Sequence, residues 1–287
     1  LENPLMAAAL LPLGLAFLMF AVGMRLTPAG LAGAFRHPAA LAGGLSVQIV
    51  LLPLLAIVLG RLFGLGTTMS TGLLLVAAAP GGITSNYVAL LARADVPLST
   101  AMTLVTSLFA CITIPLVLAA GGIAIGSGSP LLAMLRMSVV MFAVAAIPLI
   151  LGLALRRYLP QVAASLDRPL DVSSRLVFAA IVLSTFWQNR EAMIEHVFDV
   201  GPAAALLNVM AIAAGFGIAG LLGLPKSQGF AIAVETGLQN AAMAMFVATA
   251  IFGQGDLTIP ALVYAVLMNV TALALIAMAR RALPAAA

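Results

Sequence analysis

One carboxylate in this chain is out of place. Glu235 lies in FAIAVETGLQNAAMAMFVA, residues 230–248, an apolar run long enough to belong to a membrane-spanning helix. A charged side chain at the centre of a bilayer costs roughly 2.5–3.5 kcal/mol on insertion scales. No Lys, Arg or His occupies the middle of any apolar run, so the counter-charge must be a proton or a cation from solution. Neutral oxygens recur in related runs at Gln48, Ser85, Asn86, Ser99, Thr103 and Gln239. Ser99 and Thr103, four residues apart, share one helix face. An all-oxygen set suits a hard cation. One carboxylate is too little charge for tight Ca²⁺ binding, which makes Na⁺ the better fit. A proton carrier that uses Glu235 alone is the alternative.

Two runs are interrupted. LLLVAAAPGGITSNYVALLARAD, residues 73–95, contains Pro80-Gly81-Gly82 and then Ser85-Asn86; AIAVETGLQNAAMAMFVATA, residues 231–250, has Gly237 and Gln239-Asn240 at the comparable place. Proline and glycine release backbone groups that lipid cannot satisfy, so such breaks persist only when buried in protein or lining a cavity. The N-terminus of an inward-facing half-helix attracts an anion. The runs before the two breaks carry Gln48 and Asn208, and those after carry Thr103 and Asn269. Spans two to four therefore repeat as seven to nine. Displacement by an odd number of spans makes the copies inverted, the pattern of a secondary transporter with its site near the midplane.

The surrounding elements follow from composition. The 287 residues are 63% hydrophobic and 8% charged, and the mean hydropathy is +1.20. So little charge cannot cover a water-facing surface; the chain is an all-α polytopic membrane protein. At about 20 residues per crossing, nine spans are expected at 5–24, 38–60, 69–92, 97–120, 131–155, 172–189, 201–223, 227–252 and 257–279, with short connections. Nine crossings put Arg61, Arg136 and Arg190 on one side. Arg25, Arg36, Arg93, Arg156, Arg157, Arg168, Arg175, Lys226, Arg280 and Arg281 fall on the other. The bias predicts a multi-pass inner (plasma) membrane protein with its N-terminus outside and its C-terminus cytoplasmic. The net charge of +4 follows this topology and does not mark a nucleic-acid partner.

Cys111 is the single cysteine and is read as an apolar filler; His37 and His196 are placed in connecting segments. The fourteen methionines are read as helix-contact fillers and Trp187 as an interfacial anchor. The first apolar run, without a basic leader or small-residue cleavage site, is read as a mature segment. No obligate protein partner is evident. A channel lacks its ring of charge or repeated filter, and an intramembrane enzyme lacks a lysine or histidine base within a span.

PGGITSNYVALLARADVPLSTAMT and ETGLQN resemble, in order and spacing, the two signature stretches of the bile acid:sodium symporter family, including bacterial homologues of the apical sodium-dependent bile acid transporter. The resemblance covers essentially the whole chain. It implies inverted repeats with two crossed discontinuous helices. A panel domain would comprise residues 1–30 and 130–190, and a core domain residues 31–129 and 191–287. It implies one Na⁺ on Ser85, Asn86, Ser99, Thr103 and Glu235. A second would lie on Gln48, Glu235, Gln239 and the carbonyls of Thr236 and Leu238. Asn240 and Asn269 would face the substrate, with Thr84 and the amides near Gly82 close by. The first run matches the family's second helix, so a nine-helix form is expected. Met268 stands where some bacterial relatives carry histidine, and Ile83 replaces a small polar residue at the cavity edge. The implied activity is sodium-coupled symport of an organic anion, bile acid-like or a small carboxylate such as pantoate, with sodium as coupling ion and no other cofactor.

Overall fold

A computed structural model describes residues 4–26, 32–33, 35–123 and 129–283, with residues 4–10 and Ile83 described by backbone alone. The expected domain boundary at residues 30 and 31, and the side chain of Ile83, lie outside the described residues. The helices are α1 (Pro4–Arg25), α2 (Pro38–Leu62), α3 (Thr67–Ala78), α4 (Ile83–Leu91), α5 (Val96–Ala120) and α6 (Pro130–Tyr158), followed by α7 (Pro160–Gln188), α8 (Arg190–Leu221), α9 (Lys226–Gly237), α10 (Ala241–Ile251) and α11 (Gly255–Ala282). Six of them, α2, α5, α6, α7, α8 and α11, are continuous, long and apolar enough to cross a membrane. Among the described residues there is no strand. The fold is that of a polytopic helical membrane protein.

Both interruptions have a local cause. Proline disfavours helical geometry in the residue before it, and Ala79 is extended at φ −65°, ψ 148°, which ends α3 ahead of Pro80. Gly82 is also extended and leads into α4. In the second run Leu238 is extended, and the Asn240 side chain caps α10 by accepting from Met243 N–H at 3.1 Å. The freed backbone groups satisfy one another. Asn240 N–H donates to Pro80 O at 2.8 Å and Gly82 N–H to Leu238 O at 3.4 Å, around an antiparallel bridge between Gly81 and Gln239. Two defects that lipid would penalise therefore cancel.

Among the described residues three π turns lie inside helices, at Val47–Leu51, Phe142–Ala146 and Val247–Ile251. The first two immediately precede Leu52-Pro53 and Ile147-Pro148, where the proline cannot donate to the preceding turn. Gln48 sits in the first and is buried.

Two expectations are corrected. Residues 160–171 and 190–200 are not connecting segments: α7 runs unbroken over 29 residues and α8 over 32. Only Leu159 separates α6 from α7, and only Asn189 separates α7 from α8. Hydropathy undercounts these ends because they are charged. Within α7 Asp171 and Arg175 pair at i, i+4, which supports that helix, and Arg156 at the end of α6 pairs with Asp167 across the turn. His196 consequently lies within α8, not in a loop.

In packing, α1 lies on α6 and α7, α8 on α9 and α11, and α2 on α3. Without water to drive association inside a membrane, close backbone approach matters most. A Cβ on Gly23 would fall 2.0 Å from Leu149 O, and one on Gly152 2.2 Å from Phe20 O, so α1 and α6 touch backbone to backbone. Leu183, Leu273 and Val139 point outward, and Trp187 is exposed with Arg190 over its ring at 5.2 Å. Cys111 and nine methionines, among them Met102, Met243 and Met245, are buried. Gly23→Val should lower stability by about 1–3 kcal/mol, read as a clear drop in melting temperature in detergent. Gly217→Ala, with open space around its Cβ, should leave the melt nearly unchanged.

Candidate ion and solute site

The last turn of α9 carries Glu235 to the point where the two breaks meet. It is fully buried. Asp95 sets the opposing face: its side chain caps α5 through Leu98 N–H at 3.0 Å, and its own N–H donates to Ser227 O at 3.1 Å, beside the start of α9. The tie aligns the first turns of α5 with α9. Ser99 Oγ then donates to Glu235 Oε2 at 2.8 Å, and Thr103 Oγ1 to Glu235 Oε1 at 2.5 Å. Asn86 Oδ1 lies 3.0 Å from Ser99 Oγ and 3.4 Å from Thr103 Oγ1. Ser85 Oγ donates to Gly82 O at 2.7 Å.

The proton balance of this cluster is uneven. Ser99 has one hydroxyl proton and two acceptors within reach; Thr103 has one proton and three, including Ser99 O at 3.1 Å. Oxygen lone pairs outnumber protons around a fully buried carboxylate, and among the described residues no ion pair involves Glu235. Chemically this cluster is ready to accept a positive species.

The second expected set is assembled differently. Gln48 Nε2 donates to Gln239 Oε1 at 2.6 Å and to Ala79 O at 3.0 Å, while Gln239 Nε2 donates to Thr236 O at 2.6 Å. Leu238 O receives Gly82 N–H. The structure joins Gln48, Gln239, Thr236 and Leu238 in one network, but the hydrogen bonds of the Glu235 carboxylate go to Ser99 and Thr103 and not to this network.

Two side chains hold the break in place from the far side. Asn208 Nδ2, from α8, and Tyr264 Oη, from α11, donate to Gly237 O at 2.8 Å and 3.0 Å. Tyr264 was not singled out by the sequence, since a lone tyrosine in an apolar run has no distinguishing pattern. Asn208 is the residue that the sequence pattern sets against Gln48. Each donates to a carbonyl at the end of a half-helix, Ala79 for Gln48 and Gly237 for Asn208.

Beside the crossing lies a cavity of about 290 Å³. Its inner wall includes Gly82, Thr84, Asn240 and Asn269, with Gln239 and Met268. Its sides are Leu18, Met19, Tyr87 and Phe178. The mouth carries Arg25, Asp171 and Arg175. Sequence reasoning treated these arginines only as topology markers; the spacing of Asp171 and Arg175 at i, i+4 was the available signal for a helix-surface pair. Arg25, 146 residues from Asp171 in sequence, carried none.

Paired broken helices around a buried carboxylate, opening beside a solute-sized cavity in a charge-poor helical protein, define the class of membrane solute transporters. The model of the Sodium Bile acid symporter family matches residues 12–196, and the chain belongs to that family. It is 28% identical over 277 residues to the "Probable sodium/metabolite cotransporter BASS1, chloroplastic" of Arabidopsis thaliana, covering 94% of this chain and 67% of that protein. It is 28% identical over 260 residues to the "Uncharacterized sodium-dependent transporter YocS" of Bacillus subtilis, covering 90% of this chain and 78% of that one. It is 30% identical over 275 residues to the "Probable sodium/metabolite cotransporter BASS5, chloroplastic" of Oryza sativa subsp. indica, covering 91% of this chain and 67% of that protein. The chain thus spans about two thirds of the length of these plant relatives. Membership of this family, whose relatives are named as transporters, makes it a solute transporter and not an enzyme.

The tightness of the crossing is testable at adjacent glycines. A Cβ on Gly81 would fall 1.7 Å from Glu235 Oε1, whereas one on Gly82 would meet nothing nearer than 3.5 Å. Gly81→Ala should cost about 1–3 kcal/mol or more and should lower the melting temperature far more than Gly82→Ala.

Proposed function

We propose that the protein is a secondary active transporter that couples Na⁺ to the symport of a small organic anion by alternating access. The observation that carries this reading is Glu235, fully buried, bonded to Ser99 and Thr103, and without a cationic partner among the described residues. In this reading one Na⁺ is held by Ser85, Asn86, Ser99, Thr103 and Glu235. A second is held by Gln48, Gln239, Glu235 and the carbonyls of Thr236 and Leu238. Binding the second ion turns the Glu235 carboxylate, or the Gln48–Gln239 amides, out of the hydrogen bonds described above.

The chain is read as nine spans in inverted repeats, with α3/α4 and α9/α10 as the discontinuous pair. The matching contacts of Gln48 and Asn208 with half-helix carbonyls support the repeat. The packing of α1 with α6 and α7 supports a panel over 1–30 and 130–190, and the remainder a core over 31–129 and 191–287. The cavity between them opens at the arginine-rich end of α1. On the positive-inside rule this is the cytoplasmic side, so the state described faces inward, with the N-terminus outside. Transport follows when the core, carrying its ions and solute, moves against the panel.

The solute docks on Thr84, Asn240, Asn269 and the amides following Gly82, its acidic group towards the N-terminus of α4. A cavity of about 290 Å³ lies near the lower end of ligand sites, roughly 300–1,000 Å³. The size supports a small carboxylate such as pantoate over a bile acid. Two Na⁺ entering with a monovalent anion would draw on the membrane potential at about 2.3 kcal/mol per 100 mV.

Na⁺ should raise the melting temperature of the purified protein with saturable dependence. Ser99→Ala combined with Thr103→Ala should raise the half-saturating Na⁺ concentration by about tenfold or more, since two ligands are lost. A proton carrier built on Glu235 would instead respond to pH alone and tolerate both substitutions. Pantoate uptake into vesicles that follows a proton gradient and ignores Na⁺ would contradict the symport reading.

A further inference from the structure

The mouth of the cavity is charged in a way that topology does not require. Asp171, in α7, pairs with Arg25 at the end of α1 and with Arg175 one turn further along α7. Two guanidiniums share one carboxylate, so the cluster keeps a surplus positive charge. The neighbouring Asp167 does not compensate it, because it pairs with Arg156. All three members line the cavity. Arg25 has only a quarter of its side chain exposed, while Arg175 is about half exposed and therefore the freer of the two. Tyr87, from α4, lies under the Arg175 guanidinium at 4.7 Å and holds it over the opening. From Leu18 on the side of the cavity to Arg25 at the mouth, α1 advances about 10 Å.

The cavity thus carries polar groups both at the helix crossing and at the arginine cluster, with the apolar Met19 and Phe178 lining its sides. We propose that Arg175, with Arg25 and Asp171, forms a second anion-binding position, and that the transported solute is a short organic dianion with an acidic group at each end. This rests on the symport reading above, which places one acidic group at the inner end. There, two Na⁺ beside one Glu235 carboxylate leave one surplus positive charge; the arginine cluster leaves another. A dianion with an apolar middle neutralises both, whereas a monoanion leaves the surplus charge of the arginine cluster uncompensated. Arg suits the outer position because its fork bonds a carboxylate with two parallel N–H groups.

The experiment uses the full chain in proteoliposomes at neutral pH. It measures uptake of labelled succinate, glutarate and adipate, and of the monomethyl ester of each, with and without an inward Na⁺ gradient. The diacid of best-fitting length should show a KM lower than its own monoester by about tenfold or more. Uptake of the diacid should be indifferent to an imposed membrane potential, since two Na⁺ and a dianion carry no net charge, while monoester uptake should respond to it. In Arg175→Gln the preference for diacid over monoester should fall to within about twofold. Arg175→Lys, which keeps the charge on the same helix, should restore part of it, and this distinguishes a charge effect from a damaged fold. Monoesters carried as well as or better than every diacid would overturn the dianion proposal, as would an unchanged preference in Arg175→Gln or no diacid uptake at all. If monoester uptake remains Na⁺-driven, such results leave the symport reading standing. Diacid uptake that ignores the Na⁺ gradient would instead contradict the symport reading.

Discussion

A carboxylate removed from water and given no basic side chain must find its compensation elsewhere, and the centre of this protein is arranged around that need. Glu235 is supported only by hydroxyls, which stabilise its charge without cancelling it. Those hydroxyls have more acceptors than protons, so the cluster as a whole remains hungry for positive charge. A permanent ion pair with arginine would satisfy the glutamate and end its usefulness. In the proposed reading an ion taken from solution satisfies it conditionally, and conditional neutralisation is what would let an ion gradient do work on the protein.

Keeping such a site at the middle of the fold requires broken helices, and the breaks create their own problem of unpaired backbone groups. The two breaks solve it jointly: Pro80 O receives Asn240 N–H, and Leu238 O receives Gly82 N–H. Gly81 is required because any Cβ there would enter the space of the Glu235 carboxylate. Backbone pairing and the buried charge are therefore one construction. The residues behind it, Asn208 and Tyr264 on Gly237 O, tie the end of α9 to α8 and α11, so a shift of either helix reaches the site directly.

Much of this was legible in the sequence because membranes make backbone defects and charges conspicuous. Pro80-Gly81-Gly82, Gly237 with Gln239-Asn240, and Glu235 each violate the rules of an apolar helix, and each lies at the crossing. Gln48, Ser99 and Thr103 stood out for the same reason, as polar groups in apolar surroundings. The ends of α7 and α8 were misread because hydropathy measures where lipid is, not where a helix stops. Tyr264 was missed because a tyrosine is unremarkable beside alanines and valines. The mouth cluster was missed because Arg25 and Arg175 have an ordinary reading as inner-face charges, and only tertiary packing brings Arg25 to Asp171. Local rules expose residues that break the pattern; they do not expose residues whose partners come from another part of the chain.

The central claim is that one carboxylate serves solution cations as their shared counter-charge. Equilibrium binding of ²²Na⁺ to the purified chain, with no organic solute present, tests it most directly. Saturable binding of two ions per chain, abolished together by Glu235→Ala in protein that remains folded, is the predicted result. Undiminished Na⁺ binding in that variant, or no binding by the unaltered chain, would contradict the account.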